Sequence, residues 1–247
     1  MPVESSPGRS AAWLIEEVVG CAGDFHAREP ASDSVRSAWW CVVDQPALVL
    51  GSAEDATGID AAACAAANIP IVRRRSGGGA VLFVPGEIVW LDVIVPRGDT
   101  LWDDDVGRSM WWFGEAWAAA LRSSGVADVS VHRGRQVVTA SSPRICFDGV
   151  GAGEVFVGAA KAVGISQRRT RHWARLQSAV HLQWRPEMMV SLLAEPRPSI
   201  AELRPVWSAA ASAQVLRAAV ESALDAVLRP AERQEPAERR QLFEPQE

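Results

Sequence analysis

Lysine is almost absent from this sequence of 247 residues: lysines and arginines together number 25, and Lys161 is the only lysine. Arginine supplies the side-chain positive charge everywhere else. An ammonium is a compact charge with three donors, whereas a guanidinium is a larger, planar fork. The solitary lysine therefore indicates a position where an ammonium is needed, and chance survival is the alternative interpretation.

Closely spaced cysteines and long apolar runs are lacking as well. Cys21, Cys41, Cys64 and Cys146 form no C-x-x-C pair, which disfavours a zinc site or a disulfide framework. No apolar run approaches the roughly 18 residues of a membrane span. Residues 1–10 also lack a basic-then-apolar signal pattern. We therefore expect a cytoplasmic protein without a membrane partner.

Metal-ligand spacing is missing from the four histidines. His26 falls in a polar segment that is typical of a loop, and His132, His172 and His181 are isolated from one another. A lone histidine is more often a surface or core residue than a metal ligand. We predict no metal site formed by protein side chains.

The charge balance excludes a further class of partner. The net charge of -5 at pH 7 disfavours nonspecific binding to nucleic acid. Hydrophobic residues make up 48% and charged residues 22% of the chain, which is typical of a globular protein. We expect one large domain over residues 10–229, without a separate accessory C-terminal domain. The charged residues 230–247 are predicted to be a disordered tail.

Hydrophobic patterns predict an α+β protein with a mixed, mostly antiparallel sheet and flanking helices. Met110, Trp111, Phe113 and Trp117 share one face of the longest helical pattern, and an aromatic stripe of this kind predicts core packing. Apolar residues at helical spacing predict helices over 10–19, 59–68, 106–125, 186–193 and 208–228.

Strands are predicted where β-branched and large apolar residues cluster. Two pairs of such runs are separated by short proline-containing turns and are expected to form hairpins, 38–43 with 47–52 and 80–84 with 88–95. Further strands are expected over 126–134, 136–140, 162–169 and 175–184.

The stretch Ile69–Leu91 has the composition of a ligand-binding loop. An apolar strand leads into Arg73, Arg74 and Arg75, and a serine separates these from Gly77–Gly79. Consecutive glycines bring backbone N–H groups close to a ligand, and guanidiniums bind carboxylate or phosphate. Strand alternation places Arg73 and Arg75 on one face and Arg74 on the other. We predict a pocket for an anionic or acyl-carboxylate ligand; a glycine-rich hairpin flanked by solvated arginines is the alternative.

Four segments taken together resemble the lipoate-protein ligase family in order and spacing: ALVLGSAED, RRRSGGGAV, GAAKAVG and GISQRR. This family is part of the wider biotin- and lipoate-ligase catalytic fold, which also contains the octanoyltransferases. The resemblance covers roughly residues 10–200 and is most specific over 73–81 and 158–169. It implies a fold like the catalytic domain of the biotin and lipoate ligases.

The resemblance implies an acyl-binding site in the RRxSGGG segment and a catalytic lysine in the G-x-x-K-x-x-G segment. Lys161 would stabilise the charge that develops on an acyl carbonyl when an acceptor amine attacks it. The residues that would bind the activated acid are Arg73, Arg74, Ser76, Gly77, Gly78, Gly79, Ala80, Gly158 and Gly164.

Cys146 adds a second candidate chemistry. Its spacing from Lys161, together with Phe147, Asp148 and Glu154, resembles the octanoyltransferases that hold their acyl chain as a cysteine thioester. In that chemistry Cys146 is the nucleophile and no ATP is used. A small buried core residue is the alternative interpretation. The full three-glycine signature looks more like the adenylate-forming ligases.

The leading hypothesis is a lipoate-protein ligase that activates lipoate or octanoate with ATP and Mg²⁺ and attaches it to a lysine of a lipoyl-acceptor domain. The alternatives are an ATP-independent octanoyl or lipoyl transferase that uses Cys146, and a non-catalytic ligand-binding or partner subunit. Biotin is a third possible acid.

Classical ligases carry an accessory domain that we do not recognise here, so an accessory subunit is expected. An arginine-rich segment is interpreted as a surface that docks an acidic acceptor domain, with a nucleic-acid patch and a solvated strand edge as the alternatives. It comprises Arg168, Arg169, Arg171 and Arg175, with Trp173.

Overall fold

The computed structural model describes residues 13–32 and 34–228, and within these ranges the chain forms two β-sheets and five α-helices. The larger sheet has seven strands and the smaller one has three. Most neighbouring strands are antiparallel. The α+β class and the mixed, mostly antiparallel sheet predicted from the sequence are confirmed.

The seven-stranded sheet forms one side of the region that contains the candidate site. Its strands, from edge to edge, are β1 (Leu14–Gly20), β2 (Ser37–Val43), β6 (Ile88–Pro96), β10 (Trp173–His181), β9 (Ala160–Arg169), β8 (Val155–Val157) and β7 (Val129–Val131). β1 runs parallel to β2, and the five other neighbouring pairs are antiparallel. Side chains of β6 alternate between two cores, because successive residues of a strand face opposite sides of a sheet. Leu91 and Val93 face one core, and Trp90 and Ile94 face the other.

The smaller sheet covers one face of the larger sheet. Its order is β4 (Ile71–Arg73), β3 (Ala47–Leu50) and β5 (Val81–Phe83). Val49 and Phe83 of this sheet pack with Trp39 and Trp90 of the large sheet. The candidate site lies at this junction of the two sheets.

The helices are α1 (Ala22–Ala27), α2 (Ala61–Ala66), α3 (Trp111–Ser123), α4 (Pro186–Ser191) and α5 (Ala213–Val227). α3 and α5 pack against each other and against the outer face of the large sheet. Phe113 and Trp117 are fully buried, and Trp117 Nε1 donates to Ser178 Oγ at 3.0 Å. The core role predicted for this aromatic stripe is confirmed for these two residues. The four helices predicted beyond residue 58 exist, with shorter bounds.

The helix predicted over residues 10–19 is wrong. Residues 14–20 form β1, which pairs with β2 along its whole length, and residues 1–12 lie outside the described ranges. β1 is an edge strand with one neighbour, and Leu14 and Val19 remain exposed. Such a strand need not show the regular alternation of a half-buried strand. Its apolar residues therefore matched a helical spacing instead.

Both predicted hairpins are wrong in their pairing, although their strands exist. β2 belongs to the large sheet and β3 to the small one. Likewise, β6 belongs to the large sheet and β5 to the small one. A short turn between two apolar runs usually indicates a hairpin, but here each turn carries the chain from one sheet to the other. The strand predicted over 136–140 is reduced to one isolated bridge between Val137 and Val150.

The described residues include no helix that is both long enough and apolar enough to cross a membrane. The tail predicted over 230–247 lies outside these residues.

Candidate functional site

The glycine segment forms a tight loop after β4. Gly78 has a φ of +97°, a conformation that favours glycine, and a Cβ on Gly79 would lie 2.5 Å from the Ser142 carbonyl oxygen. Ala80 then forms a parallel bridge with Ile145, and Cys146 N donates to Ala80 O at 2.9 Å. Two segments that are distant in sequence are therefore joined by main-chain hydrogen bonds.

Arg74 holds this loop through hydrogen bonds to backbone carbonyl oxygens. Its guanidinium is buried and donates to the carbonyl oxygens of Val49 at 3.0 Å, Gly77 at 2.7 Å and Gly79 at 2.8 Å. Within the described part of the chain, Arg74 makes no salt bridge. Its contacts therefore fix the backbone of the glycine loop.

Arg73 and Arg75 are exposed, as strand alternation predicted. Arg73 Nη1 donates to the carbonyl oxygens of Gly51 and Glu54, each at 2.8 Å. Arg75 makes a salt bridge with Glu29. Of the three arginines, Arg74 alone is buried, and it lines the internal cavity described below.

Glu54 supports the loop from the neighbouring turn. Its Oε2 accepts from Gly51 N at 3.0 Å, and a Cβ on Gly51 would overlap the carbonyl oxygen of Gly78. Burial raises the pKa of Glu54 to about 7, while Arg74 and Arg73 act in the opposite direction. Glu54 is thus a carboxyl whose charge changes near neutral pH, next to the glycine loop.

Ser76 connects the loop to the large sheet. Its Oγ donates to Gln177 Oε1 at 2.9 Å and lies 3.0 Å from Ser166 Oγ. Gln177 Nε2 in turn lies 3.2 Å from Asp92 Oδ2, which also accepts from Arg175 Nε at 2.7 Å. This buried network fixes Ser76, which itself lines neither the cavity nor the cleft described below.

Lys161 lies near the start of β9 with a side chain that is 2% exposed. Its Nζ makes a salt bridge with Glu154 Oε1 at 2.7 Å and donates to Cys146 O at 3.0 Å and Gly149 O at 3.1 Å. The Phe147 ring lies 5.1 Å from Nζ. The solitary lysine is therefore held directly against the segment that carries Cys146.

Cys146 lies where an internal cavity meets an open cleft. The cavity lies between the sheets, has a volume of about 40 Å³ and is lined mainly by apolar side chains, including Val81, Phe83, Trp90 and Phe147. The cleft has a volume of about 400 Å³ and is lined by Gly77–Gly79, Gly149–Ala152, Glu154 and Lys161, among others. Cys146, Ile165 and Ser166 line both spaces. A Cβ built on Gly78 would lie 3.4 Å from Cys146 Sγ.

The two remaining glycines of the sequence-predicted set are placed differently. Gly164 lines the cavity, and a Cβ there would lie 3.2 Å from the Phe147 ring. Gly158 lies in the turn between β8 and β9 with a φ of +56°, and its N donates to Asp128 O at 2.9 Å. Gly158 lines neither the cavity nor the cleft.

Several residues of the site were missed in the sequence. Gln177 and Ser166 face the glycine loop from neighbouring strands, and no local motif marks them. His26 was expected in a polar loop, but it lies buried in α1 and lines the cavity. That expectation is wrong because α1 is a short helix that covers the large sheet. Burial, followed by the charges of Arg175 and Arg74, lowers the pKa of His26 to about 3.

The arginine-rich segment after Lys161 does not form one exposed surface. Arg175 is buried in a salt bridge with Asp92. Arg168 makes a salt bridge with Glu29 at 2.8 Å, and Arg169 donates to the carbonyl oxygens of Asp103 and Asp104. The interpretation of Arg175 as part of a docking surface or solvated edge is wrong, because its position in central β10 faces the protein interior.

A metal site was not expected from the sequence. Among residues 13–32 and 34–228, no group of three or more His, Cys, Asp or Glu side chains could hold a metal ion. A Mg²⁺ ion that arrives with a nucleotide is usually bound by the phosphates and one or two carboxylates. Glu154 is a carboxylate that lines the cleft.

The two sheets carry a glycine loop, a buried lysine and an apolar cavity. The first two are the features that the sequence predicted for an acyl-binding catalytic domain. Residues 26–227 match the model of the lipoyl protein ligase A/B catalytic domain. The match covers most of the chain, and the chain therefore belongs to this family.

Solved structures share the fold. A protein of T. acidophilum with bound lipoic acid has 18% identity and a TM-score of 0.65, with 87% of this chain and 85% of that chain covered. A lipoate-protein ligase A bound with ATP has 17% identity and a TM-score of 0.65, with coverage of 87% and 84%. A bi-partite lipoate protein ligase from Thermoplasma acidophilum, studied with its E2 lipoyl domain, has 16% identity and a TM-score of 0.63, with coverage of 87% and 82%. A search of curated protein sequences found no match.

Proposed function

We propose that this protein attaches a lipoate-type, eight-carbon acyl chain to a lysine of a lipoyl-acceptor domain. The observation that carries this proposal is the apolar cavity that opens, beside Cys146, into the cleft lined by the glycine loop and Lys161. An apolar chain would fill the cavity, and its carboxyl end would emerge where the polar groups converge. The family match supports the same acyl chemistry.

The leading version is an ATP-dependent ligase. The acid carboxylate attacks the α-phosphorus of ATP and releases pyrophosphate, and the acceptor amine then attacks the acyl carbonyl and releases AMP. The cleft beside the cavity, at about 400 Å³, is within the size range of ligand pockets and is where the nucleotide would bind. The solved relatives with lipoic acid and with ATP support both ligands. Magnesium would accompany ATP and be bound mainly by the nucleotide phosphates. The Glu154 carboxylate of the cleft is already occupied by Lys161 Nζ and by the N–H groups of Gly151 and Ile165.

Lys161 stabilises the acyl carbonyl oxygen in this version. Its Nζ lies at the cleft, and the Glu154 carboxylate orients it. All three of its present partners are protein oxygens, so it exchanges one of them for the acyl oxygen as negative charge develops there. Backbone N–H groups of the glycine loop would bind the phosphate or the carboxylate end of the acid.

Pyrophosphate release tests the ligase. The purified full chain is incubated with ATP and either lipoate or octanoate, with and without an acceptor domain and an accessory subunit. We expect acid-dependent release of pyrophosphate and an acylated acceptor. If no combination releases pyrophosphate, the adenylate route is contradicted.

A second version uses Cys146, and its position favours this version specifically. Its sulfur lies beside Gly78 at the mouth of the cavity, between the two spaces that an acyl donor and an acceptor would occupy. The thiolate attacks the carbonyl of an acyl thioester, the donor thiol leaves, and the acceptor amine later displaces Cys146. No ATP is consumed.

Intact mass separates the two versions. After exposure to an octanoyl-carrier protein, the transferase carries one added acyl group, which Cys146→Ala abolishes. Cys64→Ala is the matched control, because Cys64 is buried in α2 away from both spaces. An unmodified chain, or an adduct that persists in Cys146→Ala, contradicts the transferase.

Acceptor and accessory subunit are proposed partners, supported by the bi-partite relative studied with its E2 lipoyl domain. A non-catalytic subunit that only binds the acid is the remaining alternative. It is excluded if the chain modifies the acceptor and the double variant Lys161→Met/Glu154→Gln, once shown to be folded, does not.

A further inference from the structure

The polar network beside the cavity has a defined direction of hydrogen bonding. Asp92 Oδ2 can only accept, so the Gln177 atom that faces it at 3.2 Å is the amide nitrogen. The same nitrogen lies 3.3 Å from His26 Nδ1. An amide nitrogen only donates, so His26 Nδ1 is the acceptor.

This assignment fixes the proton on the other ring nitrogen. A neutral imidazole carries one N–H, and when Nδ1 accepts, Nε2 carries it. Burial and the nearby Arg175 and Arg74 keep the ring neutral, since they lower the pKa of His26 to about 3. His26 Nε2 is therefore an obligatory donor.

That donor has no protein acceptor. His26 is 7% exposed, and its Nε2 has no hydrogen-bond partner among residues 13–32 and 34–228. An unsatisfied buried donor costs roughly 1–3 kcal/mol, so such groups usually meet a ligand or a water. His26 lines the cavity, where its neighbours are the apolar Trp90 and Phe83 and the polar Gln177.

His26 lies away from the reacting end of the acyl group, so its donor faces the hydrocarbon part of the chain. The reacting end lies where the cavity and cleft meet, at Cys146, Ile165 and Ser166. His26, Trp90 and Phe83 line the cavity only. A chain that enters from the cleft reaches His26 with atoms beyond its carbonyl.

We propose that His26 determines substrate specificity by donating a hydrogen bond from Nε2 to an acceptor atom on the acyl chain. The preferred substrate class is an eight-carbon acid that bears an oxygen acceptor along its chain, such as an oxo group. This inference rests on the proposed function, because it assigns the acyl chain to this cavity. A fully hydrocarbon chain leaves the donor unsatisfied.

A positional series tests the inference with the wild-type chain alone. The probes are octanoate and a set of eight-carbon acids that differ only in the position of one ketone oxygen, offered as free acids and as thioesters. Binding is measured by calorimetry. We expect one isomer to bind roughly tenfold more tightly than the other isomers, the effect of one hydrogen bond. If every isomer binds more weakly than octanoate, the inference is overturned.

Substitutions test whether the His26 imidazole causes the preference for one ketone isomer. His26→Phe keeps an aromatic ring without a donor, and we expect the roughly tenfold advantage of the matched isomer over the other isomers to vanish. His132→Phe is the control, because His132 lines neither the cavity nor the cleft. An advantage that survives in His26→Phe overturns the inference. If His26→Phe does not fold, the wild-type series still decides.

Failure of the two proposals can be told apart. If octanoate binds and is transferred but no isomer is preferred, the proposed function stands and the role of His26 is rejected. If neither octanoate nor any ketone acid binds or is transferred, both proposals fail.

Discussion

Lys161 is held on three sides, by the carboxylate of Glu154 and by the carbonyl oxygens of Cys146 and Gly149. Both members of the ion pair are almost fully buried. A buried pair of this kind contributes little net stability, but removal of one partner leaves an uncompensated charge in the interior. Substitution of Lys161 therefore affects folding as well as chemistry.

The first prediction separates these two effects. Lys161→Met should lower the free energy of unfolding by about 3–5 kcal/mol, because Glu154 then stays buried without its partner. Lys161→Met/Glu154→Gln should regain part of that loss and remain inactive. Denaturant unfolding and acceptor modification are measured for both variants. Equal stability of the single and double variants would contradict a coupled pair.

At the residue scale, strand alternation predicted that Arg73 and Arg75 share one face and Arg74 the other, and the structure exposes the first two and buries the third. The resemblance grouped Lys161 with Gly77–Gly79, and these residues line one cleft. Their roles in binding and catalysis stay predictions. Gln177 and His26 could not be predicted. They lie on β10 and α1, and only the tertiary packing of these elements brings them to the cavity.

At the element scale, the glycine loop depends on a close approach between two turns. Gly51 follows β3, and a side chain there would overlap the carbonyl oxygen of Gly78. Gly77 lies in the same loop, and a Cβ there would meet nothing within 4 Å. Gly51 and Gly77, which belong to two neighbouring turns, thus have different structural requirements.

The second prediction uses these glycines as a matched pair. Gly51→Ala should lower the free energy of unfolding by about 3 kcal/mol, because backbone must move to admit the methyl group. Gly77→Ala should change it by less than about 0.5 kcal/mol. Denaturant unfolding of the two variants is the measurement. Comparable losses in both would argue against the close approach of the two turns.

The third prediction concerns Glu54, which accepts from the N–H of Gly51. Its pKa in the folded chain, about 7, is above its ordinary value of 4.5. The folded state therefore binds more protons between these values, and the stability contributed by Glu54 is present below pH 4.5 and lost as pH rises through 7. Partial exposure of the side chain reduces the size of this effect.

Glu54→Gln imitates the protonated carboxyl. We expect it to be more stable than the wild-type chain at pH 8 and equally stable at pH 4.5, as measured by thermal unfolding at both values. The opposite order at pH 8 would show that the ionised carboxylate stabilises the turn.

The failure to predict the hairpins also belongs to the element scale. β2 and β3 are joined by a short turn, as are β5 and β6, and local sequence alone indicates pairing within each couple. Their partners are instead decided by burial, since β6 is covered on both faces and β3 and β5 cover it. Such pairings depend on residues far away in the chain and leave no local pattern.

At the scale of the whole molecule, two buried histidines contribute to the response to acid. Burial lowers the pKa of both His26 and His181 to about 3, from an ordinary value of 6.5, and nearby positive charge acts in the same direction. Between pH 6.5 and 3 the unfolded chain binds more protons than the folded chain. The free energy of unfolding should therefore decrease as pH falls through this window.

The fourth prediction is measured by denaturant unfolding at a series of pH values. The wild-type chain should lose stability steadily below about pH 6.5, and His181→Phe should lose it less steeply because one titrating group is removed. His132→Phe, a substitution outside this buried pair, should follow the wild-type slope. If His181→Phe keeps the full slope, His181 is not a source of the acid sensitivity.

The bridge between Ala80 and Ile145 has a further consequence for the molecule as a whole. It closes a long loop of chain, and the closure of such a loop has an entropic cost that grows with its length. A ligand that contacts both Gly77–Gly79 and the segment after Ile145 acts as a reversible cross-link, since it binds only when the loop is closed. By linkage, such a ligand stabilises the fold by an amount that increases with its concentration relative to its dissociation constant. Substrate binding and folding are therefore linked, and the free energy of unfolding should rise as the site is filled.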